Sequence, residues 1–266
     1  MHLFRAFGPR EVKIVDPFLL LDDFHSSDPR DYLAGFPWHP HRGIETVTYM
    51  IRGVVEHGDS IGNKGSIQSG DVQWMTAGGG ILHQEMPQRY AGMFQGFQLW
   101  ANLPASKKMM DPRYRDIKST QIPTANVSDG VEAKVIAGEV AGIKGPVRDL
   151  IVKTEYLDVK MSPSRVFEHD SVDGTTQLAY VFDGEAFLDP ESKTVADQGT
   201  LAVFGKGRAV KIRSGDSGAR FLLVSGEPLG EPIAWGGPIV MNTQDELDRA
   251  FEDLRQGTFI RKPSRS

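Results

Sequence analysis

Short apolar segments broken by glycine or proline run through almost the whole chain, and that punctuation sharply limits its fold. ETVTYMIRG, DVQWMTAG, GFQLWANL, LIVKTEYLDVKM, QLAYVFDGEAFL, GTLAVFG, AVKIRSG and ARFLLVSGEP have strand length and are rich in β-branched and aromatic residues. Glycine supplies the left-handed backbone of tight turns, and proline fixes φ and donates no hydrogen bond. With 29 glycines and 16 prolines in 266 residues, the pattern predicts an all-β chain of many short strands, closed into a barrel or sandwich. Hydrophobic residues reach 39%, enough for a packed core.

One segment has helical periodicity. In MNTQDELDRAFEDLRQG, Leu247, Ala250, Phe251 and Leu254 fall on one stripe, Thr243 and Glu246 make a capping box, and Gly257 is placed to end the helix. Its apolar face must dock on a barrel. The strands themselves repeat. ETVTYMIRGVVEH aligns with TTQLAYVFDGEAFL when Tyr49 is set on Tyr180 and Gly53 on Gly184, and Gly70-Asp71-Val72 matches Gly199-Thr200-Leu201. Two similar barrels are therefore expected, with residues 1–130 and 131–266 divided in the polar stretch NVSDG and the helix appended to the second.

The chemistry gathers in two residue pairs. His39 with His41, and His83 with Glu85, are each spaced i, i+2, which puts both members on one strand face. Pro40 places the first pair at the opening or edge of its strand. Gly78, Gly79 and Gly80 form a turn that leads into the second. Neighbouring strands would converge these groups on one point, suited to a first-row metal such as iron, manganese, cobalt, nickel, copper or zinc. Glu45, four residues after His41, competes with Glu85 as the carboxylate ligand, and spacing alone does not choose between them; its other reading is an acceptor orienting a ligating imidazole. Set on the repeat, His39 falls opposite Asp170, His41 opposite Val172 and Glu45 opposite Thr176, so the second barrel is expected to be metal-free. His169 reads as a hydrogen-bonded structural histidine.

Other classes are excluded or disfavoured. There is no cysteine, hence no disulfide or thiolate site. The net charge of −5 argues against direct binding to nucleic-acid phosphates. The start MHLFRAFGPREV lacks the pattern of a signal peptide, no apolar run reaches membrane-spanning length, and a cytoplasmic monomer is expected, nuclear in a eukaryote as the variant.

These residues resemble a known family. DPFLLLDDF, HPHRGIETVTYM, GDVQWMTAGGGILHQEMP, FQLWANLP, AGIKGPV and SGEPLGEPI followed by GPIVMNT look like pirin, a family of paired cupin (jelly-roll) barrels, from Asp16 to Thr243. The resemblance implies two tandem cupin barrels, a C-terminal helix packed on the N-terminal barrel, and iron(II) held by His39, His41, His83 and Glu85, favouring Glu85 over Glu45. Gly79 departs from the bulkier polar residue of many pirins and is expected to widen the approach to the site. The resemblance further implies a quercetin 2,3-dioxygenase-like reaction on a small aromatic substrate with dioxygen, Glu85 doubling as general base, in an apolar pocket; Trp38, Trp74, Met75, Met86 and Phe97 are candidates for its wall, with plain core packing the preferred reading of each. The alternative is an iron-dependent redox-sensing regulator that binds a transcription factor or metabolic enzyme.

Overall fold

A computed structural model describes residues 1–188 and 195–260. Two compact units emerge. Met1–Pro9, Phe18–Ser119 and the segment from Leu229 onward form the first, and Arg10–Pro17 with Thr120–Pro228 form the second. Among the described residues no helix is long and apolar enough to cross a membrane.

The first unit is a sandwich. One sheet has the order β1 (Phe4–Phe7), β2 (Phe18–Ser26), β9 (Phe94–Asn102), β4 (Ile44–Arg52), β7 (Val72–Thr76), β10 (Arg113–Ile117). The other runs β3 (Phe36–His41), β8 (Ile81–Pro87), β5 (Val54–Asp59), β6 (Lys64–Gln68). Phe24, Met50 and Phe94 of the large sheet and Val55 and Ile67 of the small one share a buried cluster, so the two sheets face each other across it. Side chains alternate along a strand. The same inward faces that carry Met50 and Phe94 therefore also carry Thr46, Thr48 and Gln98, and the interior is apolar at one end and polar at the other.

The second unit is built on an eight-stranded sheet. Its path is β11 (Thr124–Ser128), β12 (Val131–Ala137), β15 (Thr154–Met161), β20 (Ala209–Gly226), β17 (Thr176–Phe187), β18 (Val195–Ala196), with β16 (Val166–Asp170) paired to β20 and β19 (Leu201–Val203) to β17. A small ribbon, β13 (Glu139–Val140) with β14 (Ile143–Lys144), leaves this sheet. Val135, Leu157, Val159, Phe167, Val181, Ile212 and Phe221 lie within its closed core. Gly184 takes φ +70° at a bulge against β20, where a Cβ would meet the Gly218 carbonyl at 2.3 Å, so only glycine fits.

The repeat holds at the level of strand register. Tyr49 pairs with Val72 as Tyr180 pairs with Leu201, and both tyrosines are buried. The Gly70 N–H donates to Met50 O at 2.7 Å, and the Gly199 N–H to Val181 O at 2.9 Å. Two stretches of different sequence thus close the same turn.

The C-terminal helix forms as its sequence dictates. With α1 (Val12–Val15) and α2 (Pro29–Tyr32) only single turns, α3 (Gln244–Gln256) is the long helix of the described residues. Thr243 and Glu246 complete the capping box, worth about 1 kcal/mol. Gly257 ends the helix at φ +69°. Leu247 and Ala250 bury against the hairpin of β21 (Ala234–Gly236) and β22 (Ile239–Met241), with Leu82 and Met109 of the first unit packed alongside. α3 thereby belongs to the first unit, where the pirin resemblance puts it, although residue numbering groups it with the 131–266 half.

Candidate metal centre

Strand register brings the histidines together. β3 is the edge strand of its sheet, so Pro40 withholds no hydrogen bond the ladder needs. His39 stands directly opposite His83, and His41 opposite Ile81. The three imidazole rings lie 4.4, 4.8 and 5.0 Å apart, and one nitrogen from each falls within a 4.8 Å circle. His41 and His83 are buried, and His39 is half-buried. Burial alternates along β8 and puts His83 and Glu85 on the inner face, with Leu82, Gln84 and Met86 on the other.

The ring nitrogens are already sorted. His39 Nδ1 lies 2.8 Å from Pro37 O and His41 Nδ1 3.0 Å from Pro238 O. A carbonyl only accepts, so each Nδ1 carries the proton and each Nε2 is left with a lone pair. Those two Nε2 atoms are 3.1 Å apart, and two facing lone pairs repel unless a cation lies between them. His83 Nε2 is buried with no hydrogen-bond partner, while its Nδ1 is 3.3 Å from the Tyr114 hydroxyl. Burial and then the His83 and His39 charges hold the His41 pKa well below the ordinary imidazole value. Burial, His39 and His57 do the same for His83. His41 and His83 are therefore held neutral by their surroundings, and three converging imidazoles are a donor set that fits a divalent first-row metal.

Glu85 is held by a different shell. Its Oε1 accepts from Thr48 Oγ1 at 2.9 Å and Gln98 Nε2 at 3.2 Å, and its Oε2 accepts from Gln98 Nε2 at 2.9 Å. The Trp100 indole N–H donates to Gln98 Oε1 at 3.3 Å and fixes which way that amide points. The compact group of candidate ligand atoms among the described residues comprises the three imidazoles and not this carboxylate. Glu45 lies elsewhere. It is on β4, whose alternation turns Thr48 toward Glu85 and Glu45 to the opposite face, where Thr76 Oγ1 donates to it at 2.5 Å and Arg115 lies 3.5 Å away.

The same alternation sorts the candidate wall residues, and Trp74 and Phe97 take the preferred reading, core packing. Val47 pairs with Trp74 and Tyr49 with Phe97, so Trp74 and Phe97 are buried on the face away from Thr48 and Gln98. Met86 points away from His83 on β8, and Trp38 is 53% exposed. Met75, paired with Thr46, keeps the inward face. An aromatic beside the centre that sequence reasoning did not name is Trp100, whose ring sits 4.9 Å from His41 and 6.1 Å from the stacked Trp235. Nor does Gly79 widen an approach. A Cβ there would come within 3.2 Å of Met109 O, its N–H donates to Met110 O, and its carbonyl receives Arg42 Nε. Sequence reasoning missed Thr48, Gln98, Trp100, Tyr114 and Pro238. The polar Gln98 in the mostly apolar FQLWANL was the available signal for the first three.

Arg42 links the centre to the C-terminal segment. Directly after His41, its guanidinium donates to Asp253 Oδ2 at 2.7 Å and Phe259 O at 3.1 Å and lies 4.2 Å from the Phe259 ring centroid.

Comparison with known proteins decides the family. The Pirin family model matches residues 1–101, and the Pirin C-terminal cupin domain model matches residues 156–260. The chain belongs to the pirin family. It is 41% identical to a pirin-like protein of Caulobacter vibrioides over 97% of this chain and 93% of that one. It is also 41% identical to human pirin, over 94% of this chain and 85% of that one. Among solved structures, quercetin 2,3-dioxygenase from Acinetobacter baumannii superposes with a TM-score of 0.90 at 34% identity, covering 97% of this chain and 91% of that chain. The fold is thus the two-barrel pirin architecture with a C-terminal helix, and the pirin family usually binds a metal.

Proposed function

We propose that this pirin is a metal-dependent dioxygenase that cleaves quercetin or a related flavonol. His39, His41, His83 and Glu85 hold one divalent metal, iron(II) first, in the N-terminal barrel. The observation that carries the reading is the tautomer arrangement, with Nδ1 protons committed to Pro37 O and Pro238 O and the Nε2 lone pairs facing one another. When bound, the metal would supply a Lewis-acidic, redox-capable centre. The chain does the rest. Thr48 and Gln98 aim the Glu85 carboxylate, and Oε2, which accepts from Gln98 alone, retains a lone pair for the proton of the flavonol 3-hydroxyl. The Trp100 face beside His41 provides a flat apolar surface for an aromatic ring. The structural likeness to a quercetin 2,3-dioxygenase supports the substrate class. The test is quercetin consumption under air by protein reconstituted with iron(II) or manganese(II), with His83→Ala as control. Metal-dependent turnover absent from the variant is expected. A fully loaded protein without turnover overturns the reading.

Arg42 favours a second reading, a redox-sensing regulator. It joins the His41 strand to Asp253 on α3, whose side chain is 35% exposed, so a change at the centre has a mechanical route to the surface. Equal partner capture by ferrous, ferric and metal-free protein would rule this out.

A further inference from the structure

Lys108 is a buried cation, 1% exposed, and each of its three N–H groups has an acceptor. Nζ donates to Gly43 O at 2.9 Å, to Val240 O at 2.9 Å and to Asn102 Oδ1 at 2.6 Å. Burial lowers its pKa to about 7, while the Glu231 and Glu246 carboxylates favour the charged form. A charge taken out of water is expensive, and an apolar side chain would fill the same space at less cost. What the charge fixes is visible in its acceptors.

Gly43 and Val240 belong to the two segments that meet at His41. Residues 41–43 run beside residues 238–240 and are joined three times. At one end His41 Nδ1 lies 3.0 Å from Pro238 O. In the middle, where Arg42 and Ile239 form a parallel bridge, the Val240 N–H donates to Arg42 O at 3.1 Å. At the other end Lys108 joins Gly43 O to Val240 O. Those two carbonyl oxygens are both 2.9 Å from one nitrogen, and without its charge they would face each other as bare acceptors and repel. Gly43 takes φ +80°, and a Cβ there would meet Val240 O at 1.9 Å, so only glycine admits the approach. His39 provides the contrast. Its acceptor, Pro37 O, lies two residues away on the same strand, and that bond owes nothing to the C-terminal segment.

We propose that Lys108 is a positioning residue for the metal centre: its ammonium clamps the hairpin of β21 and β22 onto Gly43, and so holds the Pro238 carbonyl on His41 Nδ1 and leaves the His41 Nε2 lone pair free for a metal. This rests on reading the three histidines as the metal centre and is independent of the reaction performed there.

The test compares the full-length wild type with Lys108→Met. In metal-free protein near neutral pH, nitrogen NMR of the imidazoles reads the tautomers of His39 and His41. Zinc(II) affinity is read separately, by competition with a chromophoric chelator. The wild type is expected to hold His41 in the Nδ1–H form. In Lys108→Met, His41 becomes a mixture of tautomers while His39 keeps its wild-type pattern, and zinc(II) affinity falls about tenfold, the lower end of what an outer partner of a ligating histidine contributes. Asn102→Leu keeps the lysine and removes one acceptor; it is expected to shift His41 in the same direction by less, and it decides the matter should Lys108→Met fail to fold. An unchanged His41 pattern in a folded variant overturns the proposal. So does equal mixing at His39 and His41, which general loosening would produce. A wild-type protein that takes up no zinc(II) overturns the metal reading instead, and the tautomer comparison still decides the role of Lys108.

Discussion

The two barrels share strand register and differ in what lies at the mouth. In the first, β3 delivers His39 and His41 to face His83. In the second, the matching positions are Asp170 and Val172, the latter 72% exposed, and the nearby His169 is spent on Glu155. The tyrosine pairs Tyr49–Val72 and Tyr180–Leu201 show that the frame tolerates this exchange. Frame and chemistry are thus separable: the hydrogen-bonded ladder fixes where a mouth forms, and a handful of inward side chains decide what it does.

The contrast can be broken experimentally, most severely at the centre itself. His83→Ala is expected to remove both bound metal and turnover, activity falling at least ~100-fold, since an intact neighbouring shell alone is worth 10–100-fold. Metal analysis beside a turnover assay checks this, and turnover by a metal-free variant would contradict it. Next comes the shell unique to the first barrel. Gln98→Leu strips both Glu85 oxygens of a donor and is expected to lower metal affinity or activity roughly 10–100-fold, with the barrel still folded by circular dichroism. A wild-type metal affinity in this variant would show that Glu85 needs no orientation.

Arg42→Met tests the tie between barrel and C-terminal segment. Loss of its bonds to Gly79 O, Asp253 and Phe259 O is expected to cost about 2 kcal/mol, seen as a lower midpoint in urea. The smallest effect belongs to the second barrel. Burial disfavours the charged His169, but the hydrogen bond and charge of Glu155, with Asp170, outweigh it and raise its pKa above the ordinary 6.5. A raised folded pKa stabilises below the unfolded value, and that gain disappears as pH rises through the folded one. His169→Gln is therefore expected to lose less than about 1 kcal/mol at pH 5.5, and the difference from wild type should fade by pH 9. A difference that grows with pH would reverse the assignment.

Much of this was legible in the chain. Glycine spacing and the Tyr49–Tyr180 match exposed the doubled barrel because turns and strand parity are local properties. The helix was readable to its caps for the same reason. The histidine pairs were visible because i, i+2 spacing survives in any strand. What closes around them was not. Tyr114 reaches His83 across 31 residues, Thr48 reaches Glu85 across 37, and Pro238 reaches His41 across 197. Trp74 and Phe97 were candidates for the wall with core packing preferred, because aromatic content is visible in a sequence, whereas the face a strand presents is set by its pairing. Gln98 and Trp100, one and three positions from Phe97, hold the inward face instead.

The Pro238 carbonyl has a consequence for the timing of synthesis. His39, His41 and His83 leave the ribosome early, but the acceptor that fixes the proton on His41 Nδ1 belongs to nearly the last tenth of the chain. Until that segment docks, His41 exchanges freely between tautomers and its Nε2 is a lone pair only part of the time. A nascent N-terminal barrel would therefore lack this acceptor until residue 238 has been made.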